Sequence, residues 1–69
     1  MAFDFNDLRG RIKSKYKTEG AFATALGLSA SALSARLTNG VPFKADEIKL
    51  AASLLDIPDA EINAYFFKV

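Results

Sequence analysis

An all-helical fold is what this sequence predicts, and three observations predict it. Apolar residues recur at helical spacing, as in Phe5, Leu8, Ile12 and Tyr16, and no stretch alternates with the period of a strand. Four times an apolar residue is followed by another five positions on: Phe3/Leu8, Leu28/Leu33, Phe43/Ile48 and Ile57/Ile62. Each pair fits the N′ and N4 positions of a hydrophobic staple, which fixes the angle at which a chain runs into a helix. Thirdly, Gly27 and the run Asn39-Gly40-Val41-Pro42 punctuate the chain where helices must stop.

Taken in order, the first helix is expected from about Phe5 to Tyr16, with Asp4 as its N-cap. Asp4 and Ser29 are good caps because their side-chain oxygens accept from free backbone N–H groups. Thr18 caps the second helix, which buries Phe22, Ala23 and Leu26 and stops at Gly27, a residue free to take the left-handed conformation. The third helix runs from about Ala30 to Leu37 and buries Leu33 and Leu37. After the loop a fourth continues to about Leu55. Lys44 is a poor cap for it, but Asp46 and Glu47 fall in its first turn, where the helix dipole favours anions. Pro58, followed by Asp59 and Glu61, opens a short fifth helix reaching Phe66.

Sixty-nine residues leave room for one domain, and a chain of this size buries only about 60% of the surface that its unfolded form exposes. Neither cysteine nor histidine is present, so a disulfide or a zinc site cannot supplement the core. No cofactor is expected, and no catalysis: histidine, cysteine and a glycine-rich phosphate cradle are all missing. The acids at Asp46/Glu47 and Asp56/Asp59/Glu61 are accounted for by helix starts, and they lack the spacing of a calcium loop. No apolar run reaches the ~18 residues of a membrane span, and the early acids do not suit a signal peptide, so a cytoplasmic protein is expected. Net charge is +1 but uneven. Residues 1–40 carry six bases against three acids, and residues 41–69 three bases against five acids, so an anionic partner would favour the N-terminal half.

The stretch Thr18–Leu37 has the anatomy of a helix-turn-helix. Ala23 supplies the small residue where two helices cross closely, and Gly27, four positions later, supplies the turn. Phe22, Leu26, Leu28 and Leu33 fix the angle between the helices, and Ser29 caps the second. The chain resembles the lambda-repressor-like helix-turn-helix family, the Cro/CI-type regulators of temperate phages, and especially a compact branch from phages and prophages of Gram-positive bacteria. The resemblance rests on Phe5-Asn-Asp-Leu-Arg-Gly-Arg-Ile, Phe22-Ala-Thr-Ala-Leu-Gly-Leu-Ser, Leu33-Ser-Ala-Arg-Leu, Val41-Pro-Phe, and the segment from Glu47-Ile to Tyr65-Phe-Phe. It covers nearly the whole chain. It implies a five-helix domain, operator DNA as ligand and a role in a lysis–lysogeny type switch in a bacterial host.

By that resemblance, Ser29, Ala30, Ser31, Ser34 and Ala35 would face base edges, Thr38 and Asn39 would approach the backbone, and Thr18 and Lys44 would meet phosphates. Arg36 is the one long cation of the third helix. It occupies a slot that related helices often make apolar, so Leu37 is expected to take the packing role and turn Arg36 outward. Two departures stand out. Glu19 places a repelling charge where family members often carry glutamine. Ala30, Ser31 and Ala35 stand where long forked side chains often read bases, and without such forks bidentate discrimination of about 1–3 kcal/mol per pair is lost. Specific affinity should then be modest, or rest on DNA shape and phosphate contacts.

That small, weakly charged helix also suits packing against a protein. The alternative reading is therefore an antirepressor or modulator that binds a companion phage repressor. Leu50 and Leu54 are expected to pack on the fifth helix, with a partner surface as their other use. Tyr65, Phe66, Phe67 and Val69 cannot all point inward, so leftover aromatics, Tyr65 or Phe67, would form a protein interface, a homodimer contact included. The bases of the first helix read as a solvated face, with Arg9 or Lys13 near enough to graze phosphate.

Overall fold

The computed structural model describes residues 2–69, and the expected all-helical architecture is what it has. In chain order come α1 (Asn6–Tyr16), α2 (Glu19–Leu26), α3 (Ala30–Leu37) and α4 (Ala45–Leu54). A 3₁₀ turn (Asp59–Glu61) then leads directly into α5 (Ile62–Phe66). Among the described residues there is no strand. The fifth helix thus begins as a tight 3₁₀ turn after Pro58, rather than as one α-helix from Pro58 onward.

Helix α2 is the centre of the packing, lying against α1, α3 and α4, while α5 closes on α1 and α4. Phe22, Ala23 and Leu26 of α2 meet Leu8 and Ile12 of α1, Leu33 and Leu37 of α3, Ala51 and Ala52 of α4, and Phe66 of α5 in one buried cluster. Two features of α2 allow this. Ala23 is 1% exposed and leaves room for close approach. Gly27 takes φ +77°, so the chain reverses at once and the Leu28 N–H donates back to the Ala23 carbonyl at 2.8 Å.

Two of the expected caps are made: Thr18 Oγ1 accepts from Ala21 N–H and Ser29 Oγ from Ala32 N–H, both at 3.1 Å. Asp4 is not the N-cap of α1, which starts one residue later than expected with Phe5 in the cap position; Asp4 Oδ1 accepts from Asn6 N–H at 2.9 Å from just outside the helix. Lys44 contributes no side-chain cap; instead its own N–H donates to Glu47 Oε1 at 3.0 Å. Ser29→Ala is expected to lower stability by about 1 kcal/mol, as typical for a lost N-cap. A urea midpoint unchanged by this substitution would show that the bond contributes nothing.

The α1–α2 junction is less relaxed. Lys17 has φ +69°, and Thr18 N–H donates across it to the Tyr16 carbonyl at 2.8 Å, a γ-turn of the rarer, strained hand. Glycine holds positive φ without the steric cost of a Cβ. Lys17→Gly should therefore raise the melting temperature despite its entropic cost in the unfolded chain, by the equivalent of about 0.5–1 kcal/mol. A lower melting temperature would count against strain at this site.

The fold draws part of the uneven charge of the sequence into ion pairs. Arg9 pairs with Glu19 at 3.0 Å, Lys15 with Asp56, Arg36 with Glu47, and Lys68 with Asp7 at 3.0 Å. Two of these four pairs join a base of the N-terminal half to an acid of the C-terminal half. Arg11 adds a third link, donating to the carbonyls of Leu55 and Asp56 at 2.9 and 3.0 Å while its guanidinium lies over the Tyr65 ring. Helix α1 is thus neither a bare solvated face nor a basic footprint, since three of its bases hold the fold together. Exposed Asp56, beside Lys15, has its carboxyl held below the ordinary range, and Lys68, beside Asp7, is raised above it.

Candidate functional site

The surface that the sequence singles out is the outer side of α2 and α3. From Gly20 to Ala35 the chain contains no charged residue. Ala21, Thr24, Ala25, Ala30, Ser31 and Ser34 are exposed, with Leu28, Ala32 and Ala35 half-buried between them. Glu19, at the edge of this surface, does not project a bare negative charge, because Arg9 holds its carboxylate.

Arg36 is where the sequence reading fails. It was expected to turn outward as the one long cation of α3, yet it is buried, with its side chain only 10% exposed. Its Nε and Nη2 donate to Glu47 Oε1 and Oε2 at 2.8 and 3.0 Å, a two-pronged pair, and its Nη1 donates to the Ala32 carbonyl at 2.9 Å. Glu47 serves α4 at the same time by accepting from Lys44 N–H. The hydrogen bonds to Arg36 hold the Glu47 carboxyl below its ordinary range against the opposing effect of burial, and those to Glu47 raise Arg36. Both Arg36 and Leu37 therefore point inward: Leu37 joins the apolar core, and Glu47 of α4 receives the Arg36 guanidinium. Glu47, expected only to complement a helix dipole, is the partner that makes this possible.

Other members of the predicted contact set are also occupied. The hydroxyls of Thr18 and Ser29 cap their helices. Thr38 Oγ1 donates to the carbonyls of Ser34 and Ala35 at 2.9 and 3.3 Å. Asn39, at φ +66°, is engaged at both ends of its amide: Oδ1 accepts from Phe3 N–H at 2.9 Å and Nδ2 donates to the Phe3 carbonyl at 3.0 Å. Gly40 follows so close to α3 that a Cβ there would lie 3.2 Å from the Ala35 carbonyl oxygen. What remains to meet a partner along α3 is Ala30, Ser31, Ser34 and Ala35, with Lys44 beyond the loop.

At the other predicted surface, Leu54 is packed against the core and Leu50 is 44% exposed. Tyr65 is half-buried and Phe66 buried, whereas Phe67 and Val69 are exposed, as expected of four apolar residues that cannot all turn in. Sequence reasoning missed Phe3 as a surface residue. It is 37% exposed and meets the Phe67 ring edge-on, with centroids 5.7 Å apart. Among the described residues the surface has no pocket and no cluster of metal-binding side chains, and no helix is long and apolar enough to cross a membrane.

A family model described as "Protein of unknown function (DUF739)" matches residues 1–69. No curated protein matches the chain. Among solved structures, the chain is similar to the modulator of repression of the temperate bacteriophage TP901-1 from Lactococcus lactis. The two are 39% identical with a TM-score of 0.85, over 100% of this chain and 96% of that one.

Proposed function

This chain belongs to the DUF739 family, and we propose that it is a small phage regulatory protein that acts by binding the companion phage repressor, as an antirepressor or modulator of repression. One observation carries the proposal: with Arg36 drawn in to Glu47, the outer side of α2 and α3 presents alanines, serines and threonines and no charge. Phosphate binding needs cations, whose counterion release supplies most of non-specific DNA affinity. A small, neutral helix face instead lets another helix approach closely. The similarity to a phage modulator of repression supports the same reading.

Operator DNA is the second reading, favoured by the tight turn at Gly27 between α2 and α3 and by the exposed cation Lys44. In a lambda-repressor-like arrangement, Thr18, Ser29, Ala30, Ser31, Ser34, Ala35, Thr38 and Asn39 would then lie along the groove, with Arg36 withdrawn from it. The two readings separate in one experiment. Labelled repressor from the same phage is titrated with this protein by fluorescence anisotropy, and labelled promoter DNA is titrated in parallel at low salt. A repressor complex is expected, with little dependence on salt, and Ser34→Glu should weaken it about tenfold or more by burying an unpaired charge. Absence of any complex at tens of micromolar, together with salt-sensitive binding to the DNA alone, would overturn the proposal in favour of direct operator binding.

A further inference from the structure

Helix α3 alone is a thin basis for a stable complex. A specific interface buries roughly 800 Å² on each side, and its energy concentrates in a few aromatic or arginine anchors at the centre. The exposed face of α3 offers neither, since it holds Ala30, Ser31 and Ser34.

The missing anchors stand at the C-terminal end of that helix. Among the described residues the exposed large hydrophobics are Phe3, Val41, Leu50, Phe67 and Val69. Phe3 is fastened to Asn39, two residues past α3, by both hydrogen bonds of the Asn39 amide, and Val41 N–H donates to the Ala35 carbonyl at 3.2 Å. Phe67 is brought to the same place by its edge-on contact with Phe3 and by the neighbouring bond from Asp4 N–H to the Lys68 carbonyl at 2.6 Å. The residues that end α3 are therefore tied to an apolar cluster built from both ends of the chain.

That cluster is packed onto the core. Phe3 packs on Phe5 at 6.1 Å between centroids, Phe5 meets Phe43 at 5.6 Å, and Phe43 meets the buried Phe66 at 5.3 Å. A row of five rings thus leads from exposed Phe67 to the core. Rings fixed before binding lose little freedom on binding, which is what an anchor requires. The nearby cation, Lys68, is paired with Asp7 and also lies near Asp4, so the patch, like the helix face, offers no free positive charge. An apolar partner surface can cover both.

We propose that Phe3 and Phe67 are the anchors that hold the companion repressor, inserting against an apolar segment of that protein while the outer face of α3 packs beside them. The inference rests on the proposed repressor binding and names the surface that does it. The test is calorimetric titration of purified repressor from the same phage with the full chain and its variants, each checked for its far-UV circular dichroism and melting temperature. Phe67→Ala is expected to weaken the complex by about thirtyfold, the effect of losing an interface hot spot. Val69→Asp, which adds a charge two residues past Phe67 at a position 72% exposed, should weaken it about tenfold. Leu50→Ser, of similar exposure on α4, should leave it unchanged.

Unchanged affinity in both Phe67→Ala and Val69→Asp, with Ser34→Glu still disruptive, would overturn the anchors and leave repressor binding standing. Concentration-dependent self-association of the chain alone, abolished by Phe67→Ala, would assign the patch to a second copy and also overturn the inference. No complex with the unchanged chain would remove both readings together.

Discussion

Arg36→Met, with Glu47 left in place, is expected to lower folding stability by about 3–5 kcal/mol, because it strands a buried carboxylate. A domain of this length has a total stability of roughly 3–10 kcal/mol, so most of the chain should be unfolded at moderate urea. The pair replaced whole behaves differently: Arg36→Met with Glu47→Leu removes two desolvated charges together, and such replacements are commonly neutral or stabilising. The signature is therefore a double-mutant cycle with strong coupling, read from urea denaturation by far-UV circular dichroism. A single variant as stable as the unchanged chain would show that the pair contributes nothing. The pair also fixes a pH dependence. The folded state holds Glu47 below its ordinary range, so the stability it contributes is present above the unfolded value of about 4.3 and is lost as pH falls through the lower folded value. Arg36 is raised, so its contribution is present below its unfolded value and is lost only in strong alkali. Acid unfolding should accordingly be shallower in the double variant.

Phe22→Ala is expected to cost about 3–5 kcal/mol as well, by a different route. Phe22 is 1% exposed and lies with its centroid 5.2 Å from the Tyr16 ring, in the helix that touches α1, α3 and α4. Its removal leaves a cavity in the buried cluster that α2 shares with α1, α3 and α4. With no disulfide or metal to hold the remainder, the chain should lose its cooperative thermal transition near body temperature. Phe22→Leu keeps most of the volume and should cost less than half as much. A cooperative melt in Phe22→Ala within a few degrees of the unchanged chain would mean that the core can close over the gap.

Much of this architecture was legible in the sequence because it is local. The caps at Thr18 and Ser29, the crossing at Ala23 and the stop at Gly27 each depend on residues within a turn or two, and each is where the spacing placed it. The failures that bear on the surface are long-range. Arg36 finds Glu47 across the α3–α4 loop, and no periodicity along α3 announces a partner on another helix. Asn39 reads as a loop residue, and its engagement of Phe3, far off in the sequence, depends on how α1 enters the fold. The N-terminal excess of bases suggested an anionic ligand, but Lys15 and Arg36 meet acids of the other half only after folding. The charge of the α3 surface was thus misjudged, since charge was the property that tertiary pairing altered.

The inward turn of Arg36 also bears on how such a chain could change its occupation over generations. A surface that lacks forked or charged side chains could in principle acquire them one at a time, but here the helix's only arginine cannot be released for the purpose. Freeing it would first have to strand Glu47, and the intermediate sequence would be poorly folded. Any lineage moving between protein recognition and base reading must alter both positions together, or add new side chains at Ser31 and Ser34 while the buried pair stays as it is. The pair therefore acts as a constraint on descent, and positions 36 and 47 should be found to change jointly among relatives that keep this packing.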